Sequence, residues 1–428
     1  MVMEQGPRLI LSAEEHSLWV LDWVANEIRI LMQSGEQHSG PMGADMVRPS
    51  DEIARTFFDW DRWWLSTETT KGHLVLSEVW SPVGDPVKGR PSVYLDQCHW
   101  STLAKAVARP ESVSDEDLVS ARRLIKLAND GGIRLPISSA TMQETAGLYG
   151  DRRYEVGIAI ASLSGGWQLR DPLEIRRQEF AAWFAQRLGL ERSLPAIDAV
   201  TLAPRSIYGG RVDSAAGDDM SDSMRLFNDA LTWPSVLVSM LIDPDRIPSV
   251  PPNQWAEGNG RLAEYLATLP REKRTALTTW AAVQDNDGLM RSALSTLSMT
   301  DAEMNRLAAR DLADAVTEPA FGGLYTAIMS ERLRDPKRRW LPNDLNDIIF
   351  LACATVYCDY VAAERSTGRQ ISQVLSRRKE PSNVHTNLRD LVAALDRDGV
   401  KSVSEAEERC RRRDDPTTSM IIGAELGP

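Results

Sequence analysis

Apolar positions change rhythm several times along the chain. Ser12 opens "SAEE", a capping-box arrangement with Glu15 three residues on. Leu18, Val20, Leu21, Val24, Ile28 and Leu31 then recur at mostly helical spacing. This predicts a helix over 12–34. A Gly/Ser/Pro/Met-rich link follows, and "DEIARTFFDWDRWW" (51–64) predicts a second helix. Its aromatics, Phe57, Phe58, Trp60, Trp63 and Trp64, suit either base stacking or, in the preferred reading, packing of an N-terminal subdomain. "HLVLSEVW" (73–80) predicts a strand, and "SPVGDPVKGRPS" (81–92) a linker.

From residue 92 the pattern shortens. "SVYLD" reads as a short strand ending in an acid, and "HWSTLAKAVA" as a helix. "DEDLVSARRLIKLANDGG" (115–132) is an amphipathic helix closed by two glycines. "IRLPISS" (133–139) predicts a second strand and "SATMQETAGLYG" (139–150) a helix. Such alternation is the rhythm of a parallel α/β sheet. Residues 151–338 are mostly helical in pattern, broken by polar loops such as 208–223. The α/β rhythm returns with "NDLNDIIFLACATVY", "CDYVAAER", "SQVLSRRK" and "NVHTNLRDLVAALDRD". The predicted organisation is a helical N-terminal region (1–88), a core in two parts (89–150 and 339–400), a helical insertion (151–338) and a charged tail (401–428).

Composition narrows the classes. The 428 residues are 43% hydrophobic and 26% charged, which is ordinary for a globular protein with room for a sizeable core. A net charge of −12 excludes a wholly basic nucleic-acid binder but not a local basic groove. The cysteines (Cys98, Cys353, Cys358, Cys410) and five histidines show no zinc spacing. "MVMEQGPRLILSAEEH" lacks a signal-peptide profile, and no uninterrupted apolar run approaches the ~20 residues of a membrane span. A cytoplasmic protein with free thiols is expected.

The candidate chemistry lies in acids. Asp96 ends the first strand, where α/β proteins build sites; an N-cap role explains it equally well. Glu144 lies one turn into the helix after the second strand. Asp344 and Asp347 share a face in the first turn of a helix that is apolar nearly all round, so Asp347 is expected at the mouth of a cleft. Asp359 and Glu364 flank the strand "YVAA", with Glu364 at its carboxyl end. Asp96, Glu144, Asp347 and Glu364 can therefore meet at one sheet edge. Converging like charges are costly without a cation, and an all-oxygen donor set suits Mg²⁺ or Mn²⁺.

"VYLD", "PISSATMQE", "NDIIFLACA" and "DYVAAER", in that order, resemble the PIN-like nuclease superfamily. The match spans two blocks, 92–150 and 340–378. The resemblance implies a Rossmann-like parallel sheet core that gathers acids around Mg²⁺ or Mn²⁺ and cleaves nucleic acid, RNA before DNA. It carries over Asp96, Glu144, Asp347 and Glu364 as catalytic metal ligands, with Asp344 and Asp359 as supporting acids. The family commonly has a small hydroxyl residue and then Asn, Ser or Thr after the first acid, and here stand Gln97 and Cys98. Its last motif is commonly Thr-x-Asp, and here it is Ala362-Ala363-Glu364.

Arg338 and Arg339 before the acidic helix, and Arg377 and Arg378 after Glu364, are the candidate phosphate contacts. "RCRRR" (409–413) reads as a solvated tail feature. The expected function is metal-dependent phosphodiester hydrolysis, with a toxin or antiviral role fitting the type. The nucleic acid is the expected partner, with no membrane and with a homo-oligomer or inhibitory partner protein compatible. The altered motifs motivate a second class, a PIN-like fold kept as a binding or assembly module.

Overall fold

The computed structural model describes residues 15–43, 46–62, 64–80, 89–191, 194–209, 222–243, 245, 253–299, 301–304 and 306–405. The Ser12 cap, Trp63, most of the Pro/Gly linker, most of the 208–223 loop and the "RCRRR" run lie outside them.

The N-terminal region forms a sheet where two helices were expected. Its strands are β1 (His16–Asp22), β2 (Glu27–Met32), β3 (Gln37–Pro41), β4 (Ile53–Asp59), β5 (Trp64–Thr69) and β6 (Leu74–Glu78). They make one antiparallel sheet in the order β3-β2-β1-β4-β5-β6. A turn in mid-run explains the difference. Asp22 Oδ1 accepts the backbone N–H groups of Val24 and Ala25 at 3.2 and 2.9 Å. Asn26 takes the left-handed conformation, φ 55°, that asparagine tolerates. In the second run, β4 shifts register between Ile53 and Arg55, which breaks the two-residue alternation of a strand. Asp59 Oδ1 then accepts from Asp61 and Arg62, both at 3.0 Å, and turns the chain toward β5.

After β7 (Val93–Leu95) come α1 (Gln97–Ala108), α2 (Asp115–Asn129), α3 (Ser139–Ala146) and α4 (Gly150–Ser164). The helical span continues through β8 (Gln168–Leu169), α5 (Pro172–Leu188), β9 (Val200–Thr201), α6 (Asp222–Ile242), α7 (Asn253–Ala267), α8 (Arg271–Thr296), α9 (Asp301–Met304), α10 (Ala309–Ala315) and α11 (Ala320–Leu333). The chain then forms α12 (Asp344–Tyr357), β10 (Tyr360–Ala362), α13 (Arg365–Arg378), β11 (Val384–His385) and α14 (Leu388–Arg397).

The antiparallel sheet packs on α4 and α6. Hydroxyls of Thr56 and Thr67 meet Ser235 Oγ at 3.1 and 2.8 Å, and Thr69 meets Tyr154 at 2.9 Å. Phe58, Trp60 and Trp19 pack edge to face, and the first two are buried against Ala230 and Leu231 of α6. Phe58 and Trp60 of that aromatic cluster serve packing, while Trp64 is exposed.

Among the described residues the expected large parallel core is absent. The parallel sheet has only three short strands, in the order β11-β10-β7. The segment "IRLPISS" meets the β7 side of this sheet through one isolated bridge, Ser92 to Arg134, and meets β8 through another, Ile137 to Gln168. Pro136 has no N–H to donate, so a continuous ladder cannot form through it. The chain is thus mixed α/β: an antiparallel sheet, then mostly helices around a small parallel sheet. No described helix is long and apolar enough to cross a membrane.

Candidate carboxylate site at the end of the parallel strands

β7 and β10 run in parallel register, Val93 against Tyr360 and Leu95 against Ala362, so both strands end at one edge. Asp96 and Glu364 follow them. The backbone N–H of Asp96 donates to Ala362 O at 2.9 Å, and that of Glu364 donates to Asp96 Oδ2 at 3.0 Å. Asp96 Oδ1 accepts from Gln97 N–H at 2.8 Å and so caps α1. The cap role and the edge position hold together, because a carboxylate keeps further lone pairs. Glu364 is the N-cap residue of α13 and is exposed. The helix approaches closely at Gly368, where a Cβ would stand 2.9 Å from Thr386 Cγ2 and 3.3 Å from Ala363 Cβ.

Two helices bring the other acids. Ser138 caps α3 through its hydroxyl, which accepts from Thr141 N–H, and Tyr94 reaches Ser138 from β7 at 2.9 Å. Glu144 follows on α3. Asp347 lies in the first turn of α12, whose residues from Ile348 to Thr355 are buried. Asn346 Nδ2 donates to Gln143 Oε1 at 2.8 Å and ties α12 to α3 beside the two acids. Asp96, Glu144 and Asp347 line one narrow cleft of about 10 Å³, together with Tyr94, Gln97 and Asn346.

The electrostatics follow from that proximity. Burial, then the charges of Asp96, Asp347 and Glu364, push the Glu144 carboxyl up to about 8. Burial, then Asp96, Asp344 and Glu364, push Asp347 up to about 7. Desolvation and the charges of Asp96, Glu364 and Glu144 push the Cys98 thiol up to about 12, so its nucleophilic thiolate is disfavoured. The neighbouring His99 is buried, its Nε2–H donating to Ala363 O at 3.3 Å, and desolvation lowers its pKa. Among the described residues none of the four carboxylates is in an ion pair with Lys or Arg. Nor do any three described His, Cys, Asp or Glu side chains already form a group able to hold a metal ion. The acids share a cleft and its rim rather than a finished coordination sphere.

The remaining expected residues go elsewhere. Asp344 pairs with buried Arg332 and accepts Leu341 N–H at 2.6 Å. Asp359 sits at the opposite end of β10, where its Oδ2 accepts from Ser92 N–H and Oγ–H at 2.7 and 2.8 Å. It fastens the two strands and does not face the other acids. Arg377 and Arg378 end α13, roughly 20 Å along the helix from Glu364, and pair with Glu331 and Glu380. Arg338 and Arg339 lie in the loop leading into α12, Arg339 exposed and Arg338 near the Arg332–Asp344 pair.

Sequence reasoning missed Arg365 and Arg369. Both are exposed on the first turns of α13, beside Glu364, and neither has an ion pair among the described residues. Their spacing of four on a helix was visible in the chain. It also missed Gln97 as a lining residue and the Gln143–Asn346 bond, which spans 203 positions. Comparison of the chain with protein-family models, with curated proteins and with solved structures finds no match.

Proposed function

We propose that the chain is a metal-dependent nuclease that hydrolyses phosphodiesters, RNA before DNA, at the site formed by Asp96, Glu144, Asp347 and Glu364. One observation carries the reading: carboxylates from two strand ends and two helices converge with no ion-pair partner among the described residues, and Arg332, paired with Asp344, offsets only part of the charge at Asp347. An all-oxygen set of this kind fits Mg²⁺ or Mn²⁺. When bound, such an ion supplies Lewis acidity that activates water and offsets charge on the phosphodiester. The order of the four motifs, similar to PIN-like nucleases, supports the same reaction class.

The chain's own groups have distinct parts in this reading. The Asp96 carboxylate is fixed by the backbone N–H groups of Gln97 and Glu364, which ties the backbone of Glu364 to it. Glu144 and Asp347 hold protons near neutrality and release them as a cation binds, so cation affinity rises with pH. Arg365 and Arg369 hold phosphates next to the acids. We place the activity in the cytoplasm, in keeping with the free thiols of Cys98, Cys353 and Cys358.

The test is cleavage of single-stranded RNA and DNA by the full chain, with and without Mn²⁺ or Mg²⁺. The wild type should cleave only with metal, and Asp96→Asn combined with Asp347→Asn should abolish cleavage while the protein stays folded. Equal cleavage by the double variant removes the site. A wild type that binds oligonucleotide but cleaves none with any metal turns the reading to the binding module.

A further inference from the structure

We infer that Gln97 supplies a neutral oxygen donor to the cation held by the four acids. This rests on the metal-site reading above and adds a ligand that the acids alone do not predict.

The argument follows the hydrogen bonds. Gln97 Nε2 donates to Thr145 Oγ1 at 3.1 Å. Thr145 Oγ1 donates its one proton to Thr141 O at 2.7 Å. Toward Gln97 that hydroxyl can only accept, so the amide NH₂ must face Thr145. The carbonyl end of the amide is thereby turned the other way. Gln97 lines the cleft with Asp96, Glu144 and Asp347. Its Oε1 is buried and has no hydrogen-bond partner.

A buried acceptor without a partner costs roughly 1–3 kcal/mol. Ionised carboxylates cannot relieve it, since they too only accept, so the acceptor is left wanting once Glu144 and Asp347 have given up the protons they hold near neutrality. A hard divalent cation satisfies amide and acids together, and amide carbonyl oxygens are ordinary ligands for such ions. A neutral donor also adds a ligand without adding to the repulsion among the acids. Gln97 directly follows Asp96, where the PIN-like pattern has a small hydroxyl residue.

The experiment is Mn²⁺ titration of the full-length protein, read by calorimetry and by the free-Mn²⁺ paramagnetic signal, with thermal melting of the metal-free protein alongside. Gln97→Leu should weaken Mn²⁺ binding about tenfold or more with little change in metal-free melting. Thr145→Val leaves the amide in place but frees it to turn, and should weaken binding several-fold. Wild-type binding with both variants binding Mn²⁺ as tightly as wild type overturns the role of Gln97 and leaves the acids' role standing. A wild type that binds no Mn²⁺ removes the acid site itself, and this inference with it. Should Gln97→Leu fail to fold, Thr145→Val decides.

Discussion

Arg332 and Asp344 form an ion pair sealed under Trp340, whose ring lies 4.8 Å from the guanidinium carbon. Both partners are buried, and Asp344 also fixes the loop before α12 through Leu341 N–H. Removing one member of such a pair strands the other charge away from water. Asp344→Asn is expected to lower stability by about 3–5 kcal/mol, read by chemical denaturation, and to change Mn²⁺ affinity little. Asp347→Asn should do the reverse, weakening Mn²⁺ binding and stabilising the metal-free fold. If the Asp344 variant loses metal binding and keeps its stability, the two acids have been assigned the wrong way round.

Protons give a second test. The folded chain holds protons on Glu144 up to about 8 and on Asp347 up to about 7, against ordinary values of 4.5 and 3.8. Between those limits the folded state binds more protons than the unfolded chain. Stability of the metal-free protein must therefore fall as pH rises from about 5 to about 8, by roughly 1–3 kcal/mol from this pair. Glu144→Gln should flatten that slope and raise the melting temperature at the alkaline end. Melting curves across this range check both, and an equally steep slope in the variant would show that burial and its neighbours do not hold a proton on Glu144.

Phosphate contacts give a third. Replacing Arg365 and Arg369 by Ala should weaken binding of a single-stranded oligonucleotide and shallow its salt dependence by about one unit per arginine. Replacing Arg377 and Arg378 should leave both unchanged. Fluorescence anisotropy at several salt concentrations separates the two ends of α13. A larger loss from Arg377 and Arg378 would move the nucleic-acid path away from the acids.

Parts of the site were legible because they follow from local rules. Asp96 stands where a buried apolar run ends, and Asp347 where a wholly apolar helix begins, so their sharing an edge could be read from the chain. Arg377 and Arg378 were misjudged because nearness in sequence is spent along a helix at 1.5 Å per residue. Asp359 was misjudged because a strand of three residues separates its two flanking acids onto opposite edges. The N-terminal sheet was hidden by register shifts in β1 and β4 and by the Asp22 and Asp59 turns, which together imitate helical spacing. The size of the parallel sheet depended on Pro136, a residue that breaks a ladder yet leaves the apolar pattern intact.

The Asn346–Gln143 bond joins two uncharged groups, and that neutrality has a use. Charged features near the cleft respond to their surroundings: carboxylates titrate and arginines are screened by salt. An amide pair does none of these. It acts as a gauge block between α3 and α12, keeping the gap between the backbones that carry Glu144 and Asp347 the same in acid or alkali and in dilute or concentrated salt. If the proposed metal binding holds, ions are sorted by radius against a fixed jaw, with only side-chain rotation left to close on them.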